Sequence, residues 1–316
     1  MRKQNAGQVG RRKKRWSRDD TELTFLALPT IVWYLLFSFL PMFGVIIAFK
    51  NFRINGNFLQ SVITSRWVGL KNFKYLFASK DTLTMLRNTV GYNVIFIVLG
   101  TFVSVVLAVM VSQLYSKRLA KAYQTAMFMP YFLSWVVIAV CVWAFLSFDK
   151  GIVNNYLTST GGTAVNWYMD KQYWPGLLIF LKIWKGLGYG MVVYLATITG
   201  FDPTYYEAAV IDGATKWQQT KYITLPMMKN VIVIMFILSV GTIFFSDFGL
   251  FYQVPHDSNS LFDVTYTIDV MVYKSLKAST VGMASASALF QSIMGCLTVL
   301  GANAIVKRVD PDSAMI

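Results

Sequence analysis

Lys182 and Lys185 stand inside an apolar run that extends from Trp174 to Thr199. An ammonium near the middle of a bilayer costs about 2.5–3.5 kcal/mol on insertion scales, so each must reach water, protein or a ligand. The chemistry open to them is recognition of an anion. Two readings compete. In the first, residues 174–185 form an interfacial or pre-span segment, and the long stems carry the charge out to water. In the second, both lysines face a translocation pathway and favour an acidic substrate. The first is preferred, because lysine stems routinely reach water near helix ends. Gly186, Gly188 and Gly190 follow at spacing two and are expected to loosen the helix. They make no nucleotide fingerprint, since no strand precedes them. Tyr189, Asn93 and Gln291 complete the pathway candidates. For Asn93 a hydrogen bond across helices is the preferred use, and close packing explains most of the small polar face around Gln291.

Other chemistries lack their residues. No nucleophile has a positioned base, and there is neither a P-loop nor a metal-binding histidine pair. His256 is the only histidine and falls in a loop. Cys141 and Cys296 both fall in apolar spans, which leaves no disulfide framework and no zinc pattern. The chain is therefore expected to be no enzyme, with no catalytic residue, no metal and no cofactor of its own. Any active transport must draw its energy from a partner.

The elements that position these residues are membrane helices. Hydrophobic residues make up 55% of the 316 and charged residues only 14%, against about 25% charged in soluble domains. Six spans are expected, at about 23–49, 89–114, 123–148, 174–199, 227–248 and 281–306, giving an all-α membrane protein. Pro29 is expected in the first turn of its helix, and Pro41 to kink or end it. Pro130 falls in the inner half of the third span. Gly100, Ser104, Ala108 and Ser112 form a stripe that lets helices approach closely. Residues 1–20 are a basic tail lying near anionic headgroups of membrane lipids, with a topology anchor that has no specific ligand as the preferred reading, and 309–316 are a second tail. The basic tail with the apolar run that follows it is not expected to be a signal peptide, because the run is too long and lacks a small-x-small cleavage site.

The net charge of +14 is sorted by membrane side rather than assigned to nucleic acid. Segments placed in the cytoplasm carry sixteen Lys and Arg, and outer segments carry eleven. The long outer loop at 50–86 opposes the bias with Lys50, Arg53, Arg66, Lys71, Lys74 and Lys80. With six spans both termini are cytoplasmic, and so is the loop at 202–226.

That loop is polar but structured. Asp202-Pro203 starts a helix, with Asp as N-cap and Pro in the first turn. Asp212-Gly213 stops it. Thr215 with Gln218 forms a capping box that opens a second short helix, and Pro226 opens the next span. Ala208 and Ala209 allow close approach of another surface. Tyr205, Tyr206 and Trp217 are rigid aromatic anchors, rimmed by Glu207, Asp212, Lys216 and Lys221. Docking to a partner and packing on its own domain both fit these residues.

Glu207-Ala208-Ala209, then Gly213, then Ile223, Leu225 and Pro226 reproduce a long gapped signature. It resembles the EAA motif of binding-protein-dependent ABC importer permeases. The flanks Trp184-Lys185-Gly186 and Tyr194-Leu195-Ala196, and Trp217 within, point to the sugar-permease branch of the maltose and glycerol-phosphate type, and to its polysaccharide-oligosaccharide subgroup. The resemblance covers roughly residues 20–308. It implies a type I importer permease fold in a bacterial cytoplasmic membrane. It also implies a heterodimer with a second homologous permease, two cytoplasmic ATPase subunits that hold the ATP and Mg, an extracytoplasmic solute-binding protein, and an oligosaccharide cargo. Tyr206, Glu207, Ala208, Ala209, Asp212, Gly213, Trp217, Leu225 and Pro226 would then be coupling residues, inserted in a groove of the ATPase. The rivals are an ion-gradient-driven secondary transporter or channel, which often shows inverted repeats and intramembrane acids, and a membrane-embedded enzyme. Neither finds its residues here.

Overall fold

The computed structural model describes residues 18–78 and 81–309. Most of the two tails, and Lys80, lie outside the described residues. Among the described residues, five helical runs are long and apolar enough to cross a bilayer: Asp19–Phe49, Thr82–Ser112, Trp174–Thr199, Lys216–Val240 and Val281–Arg308. A sixth span is made if the pair Lys117–Phe132 and Trp135–Leu146, bent by 95°, counts as one. The chain forms two compact units that divide at Ile46.

The first unit is α1 (Arg18–Tyr34), continued by a π-helical turn, Leu35–Phe39. Because α1 starts at Arg18, Pro29 lies in its interior and not in the first turn. The π turn lies just before Pro41, whose ring crowds the carbonyl four residues back. No side chain from Leu35 to Met42 is buried, as suits a segment whose solvent is hydrocarbon.

The second unit opens with two short strands, β1 (Lys50–Asn51) and β2 (Arg66–Trp67), paired antiparallel around α2 (Phe58–Thr64) and followed by α3 (Lys71–Ala78). Then come α4 (Thr82–Ser112), α5 (Lys117–Phe128), α6 (Trp135–Leu146), α7 (Ile152–Ser159) and α8 (Trp174–Thr199). Helices α4 and α8 pack along their lengths and form the most extensive helix pair. Two apolar clusters flank the middle of that pair. One joins Tyr92 and Phe96 to Trp174, Leu178, Leu181, Leu250 and Phe251. The other joins Ala108 and Val111 to Met191, Tyr194, Leu195 and Met228.

Helix α8 is unbroken through Gly186, Gly188 and Gly190, so the expected loosening there does not occur. Two of these glycines are points of close approach instead. A Cβ on Gly188 would collide with Met127 O and Phe128 Cα, and one on Gly190 with Ser104 Oγ. Gly186 faces open space. Small residues at a helix crossing are the usual device where lipid supplies no hydrophobic drive.

The third span is not one helix. After α5 the chain makes a 3-10 turn at Met129–Phe132. It passes through extended Leu133 and Ser134 and restarts as α6, where Ser134 Oγ accepts the Val137 N–H. Pro130 sits inside that turn. The break frees the Tyr131 carbonyl, and Lys185 Nζ donates to it at 2.7 Å.

After α8 come α9 (Thr204–Ile211), α10 (Lys216–Gln219) and α11 (Leu225–Val240). The chain then runs through α12 (Phe262–Thr265) and α13 (Ile268–Lys277) to α14 (Val281–Val309). Helix α11 ends at Val240, short of the expected Phe248, and residues 241–247 are non-helical. Unwound backbone at membrane depth survives only where protein satisfies its polar groups. Here three side chains from three helices do so. Asn93 Nδ2 donates to Ile243 O at 2.9 Å and to Phe245 O at 2.8 Å. Gln291 Nε2 donates to Phe244 O at 2.9 Å. Asp269 Oδ2 accepts from Ser246 N at 2.5 Å and from Ser246 Oγ at 2.8 Å.

Candidate functional site

Two places in the second unit carry the candidate residues. The first is a cavity of about 470 Å³ bounded by α4, α8, α11 and the unwound segment. Along α8, Lys182, Gly186, Tyr189 and Gly190 line it, at spacings that put them on one helical face. Across from them stand Asn93, Ser104, Thr242, Ser246 and Asp247. Lys182 Nζ lies 2.9 Å from Asp247 Oδ2, and the side chains are 36% and 25% exposed. Phe96 flanks the ammonium, its ring centre 6.0 Å away. Among the residues lining the cavity, Lys182 and Asp247 are the only charged ones. Tyr189 stacks on Tyr131, with ring centres 5.3 Å apart.

The pathway candidates thus divide. Lys182, Tyr189 and Asn93 line the cavity, although Asn93 also tethers the unwound backbone. Lys185 lies outside the lining. Its ammonium is held by Tyr131 O, with the Tyr131 and Trp135 rings 5.5 and 5.6 Å away. Gln291 is 2% exposed and lies outside the lining as well, with its amide also donating to Asp269 at 3.1 Å. Lys185 and Gln291, both named as pathway candidates, thus stand outside this cavity. Sequence reasoning missed Asp247 as the partner of Lys182, and missed Asp269 and Ser246 altogether. The signal available was the polar residues Asn93 and Gln291 inside apolar spans, which in a membrane imply a partner to be found.

The second place is the knuckle at 202–226. Asp202 Oδ1 accepts the Thr204 N–H at 2.9 Å, and this bond holds its carboxyl below the usual carboxylate range. Helix α9 starts at Thr204, one residue later than an Asp202 N-cap implies. It stops at Gly213, whose φ of +77° is left-handed. Ala214 N–H closes the turn on Ala209 O at 2.8 Å. The capping box is present, with Thr215 Oγ1 accepting from Gln218 N and Gln218 Oε1 accepting from Thr215 N.

The expected helix opening at Pro226 is corrected. Helix α10 passes through a π turn, Thr220–Thr224, directly into α11, so that Lys216–Val240 is one continuous run. Pro226 is accommodated by the wider turn before it. The second arm of the knuckle is therefore the end of a membrane span. Tyr206 OH meets Thr224 Oγ1 at 3.1 Å and ties α9 to that arm. Gln113 Nε2, at the end of α4, donates to Thr220 Oγ1 at 2.6 Å. Beyond these ties the knuckle stands out from the chain. Glu207, Ala208, Asp212 and Gly213 are exposed, with Ile211 at 86% and Trp217 at 70%. Ala209 and Tyr206 are half-buried. Leu225 and Pro226 sit at the base, at the start of α11.

Among the described residues no group of three or more His, Cys, Asp or Glu side chains is placed to hold a metal ion.

Comparison with known proteins bears on both places. Residues 97–312 match the family model described as binding-protein-dependent transport system inner membrane component. A permease protein of Bacillus subtilis (strain 168), named for a polygalacturonan/rhamnogalacturonan transport system, is 32% identical over 90% of this chain and 88% of its own. The lactose transport system permease protein LacF of Rhizobium radiobacter is 29% identical over 74% and 80%. A chain from the crystal structure of a bacterial ABC transporter involved in import of the acidic polysaccharide alginate superposes with a TM-score of 0.82. It is 30% identical and covers 92% of this chain and 97% of its own. A second structure, of the alginate transporter in complex with an alginate pentasaccharide-bound periplasmic protein, gives a TM-score of 0.81 at 30% identity over 94% and 98%.

Proposed function

Because this chain belongs to the binding-protein-dependent transport system inner membrane component family, as a sugar ABC permease without an ATPase site of its own, we propose that it carries oligosaccharides, including uronate-containing ones, through the cavity beside Lys182. It does so in a heterodimer with a second permease. Two cytoplasmic ATPase subunits bind ATP and Mg below the pair, and an extracytoplasmic binding protein delivers the sugar. Both termini and the knuckle face the cytosol. The family supports this account over an ion-gradient-driven carrier or channel.

One observation carries the coupling role. The knuckle leaves Ile211 and Trp217 exposed, yet it is braced to two spans by continuity with α11 and by Gln113. A surface that wants a partner is thus joined rigidly to helices that must move. Nucleotide-driven closure of the ATPases displaces the knuckle, and the spans rock between inward-facing and outward-facing states.

The sugar class draws on the relatives. One is named for polygalacturonan/rhamnogalacturonan transport and another for alginate import, and a lysine lines the cavity here. Tyr189 adds an aromatic face on which a sugar ring can stack. The test is ATP hydrolysis by the co-purified complex with its binding protein, set against a panel of galacturonate, mannuronate and neutral oligosaccharides. Stimulation of several-fold by at least one uronate oligosaccharide is expected, the scale on which conformational coupling operates. A flat response across the acidic members, with stimulation by neutral sugars only, would remove the acidic substrate from the account.

A further inference from the structure

The ion pair in the cavity has a feature that substrate recognition alone does not require. If Lys182 served only to attract acids, an unpaired ammonium would serve better. Instead the structure supplies an internal counter-ion, and supplies it at some cost. Asp247 belongs to the segment where α11 has unwound. That segment is fixed by Asn93 from α4, Gln291 from α14 and Asp269 at the start of α13. Ser246, beside Asp247, is held twice by Asp269, and its Oγ lies 2.7 Å from Thr267 Oγ1 as well. Backbone that could have continued as helix is thus pinned in an irregular course. One result of that course is a carboxylate 2.9 Å from Lys182.

The pair is also reachable. Neither partner is sealed in the core, since the side chains keep 36% and 25% of their surface and both line the same open cavity. Lys185, the second nearby cation, directs its ammonium to Tyr131 O outside the lining. The cavity therefore carries one positive and one negative group and no net charge.

We propose that Asp247 is a specificity-determining residue: it neutralises Lys182 when the cavity is empty or holds a neutral sugar, and it yields Lys182 to the carboxylate of an acidic one. This rests on the oligosaccharide-permease reading above. The exchange swaps one charge-assisted hydrogen bond for another and leaves Asp247 without its partner, so an acidic sugar gains less than it would from a bare ammonium. A neutral sugar meets no unpaired charge. This arrangement tempers the preference for acids and lets one cavity serve both classes.

The test uses the whole transporter with its binding protein in lipid vesicles. It reads initial uptake of trigalacturonate and of neutral trigalactose, expressed as a ratio. Asp247→Asn leaves Lys182 without its counter-ion, and the ratio is expected to rise about tenfold, the scale of one charge-assisted hydrogen bond. Lys182→Gln leaves the carboxylate facing the sugar, and the ratio falls by a similar factor. The double variant restores neutrality, with a ratio between those of the two single variants. An unchanged ratio in Asp247→Asn overturns the proposal and leaves the permease reading intact. Single variants that fail to assemble beside a double variant that does also overturn it, because the pair is then a structural tie. Uptake of neither sugar by the unaltered transporter removes the substrate reading first and this proposal with it.

Discussion

Gly213→Pro is expected to abolish uptake while the chain still inserts in the membrane. Gly213 takes a φ of +77° and donates its N–H to Val210 O at 3.1 Å. Proline can do neither, since its ring holds φ near −65° and it has no N–H. The cause is conformational and not steric, because a Cβ at this position meets nothing within 4 Å. The series is therefore graded. Gly213→Asn tolerates the left-handed region and keeps most activity. Gly213→Ala pays about 1–2 kcal/mol for that region and falls between. Glu207→Ala separates docking from folding. Glu207 is exposed, so stability changes by under about 0.5 kcal/mol. An interface anchor is worth more than about 1 kcal/mol, so ATPase association and uptake both fall. Co-purification of the ATPase and a transport assay on the same preparations check the pair. Normal transport in both Gly213→Pro and Glu207→Ala would refute the coupling role.

The second large effect is expected at Gly188. Its neighbours across the helix crossing are backbone atoms of Met127 and Phe128, which cannot rotate aside. Gly188→Ala must push α5 from α8, at a cost at or above the roughly 1–3 kcal/mol typical of overpacking. Gly190→Ala meets the Ser104 side chain instead, so Ser104→Gly in the same chain should recover most of the loss. Gly186→Ala meets nothing and should be neutral or slightly stabilising, since alanine exceeds glycine in helix propensity by about 1 kcal/mol. Thermal unfolding of the detergent-solubilised complexes ranks the three. Equal losses at all three positions would show that helix flexibility and not close approach is what these glycines provide.

How much of this was legible in the chain depends on the range of the interactions. The knuckle was legible because its determinants are local. A capping box spans four residues, a left-handed glycine acts at its own position, and a gapped motif is read along the line. Long apolar runs likewise disclose themselves as spans. The broken spans did not. Residues 227–248 are apolar enough to read as one helix, yet α11 stops at Val240. The reasons lie far away in sequence, in Asn93, Asp269 and Gln291. Lys185 had two readings open, water or the pathway, and its ammonium meets Tyr131 O instead, a carbonyl freed only once the third span bends. Lys182 took a partner that hydropathy placed at the rim of a span. The same distance explains why Pro226 misled: a proline marks a helix start by local rule, and a π turn upstream let the helix pass through it.

The central claim is that the knuckle docks on a cytosolic ATPase. The most direct measurement is the reactivity of a thiol at position 217 with a membrane-impermeant maleimide. The chain carries Trp217→Cys with Cys141 and Cys296 replaced by Ser, and it is probed from either face of sealed vesicles with and without the ATPase subunits. The account predicts labelling from the cytosolic face alone, and strong protection when the ATPases are bound. Labelling from the outer face, or equal labelling with and without the ATPases, would contradict it.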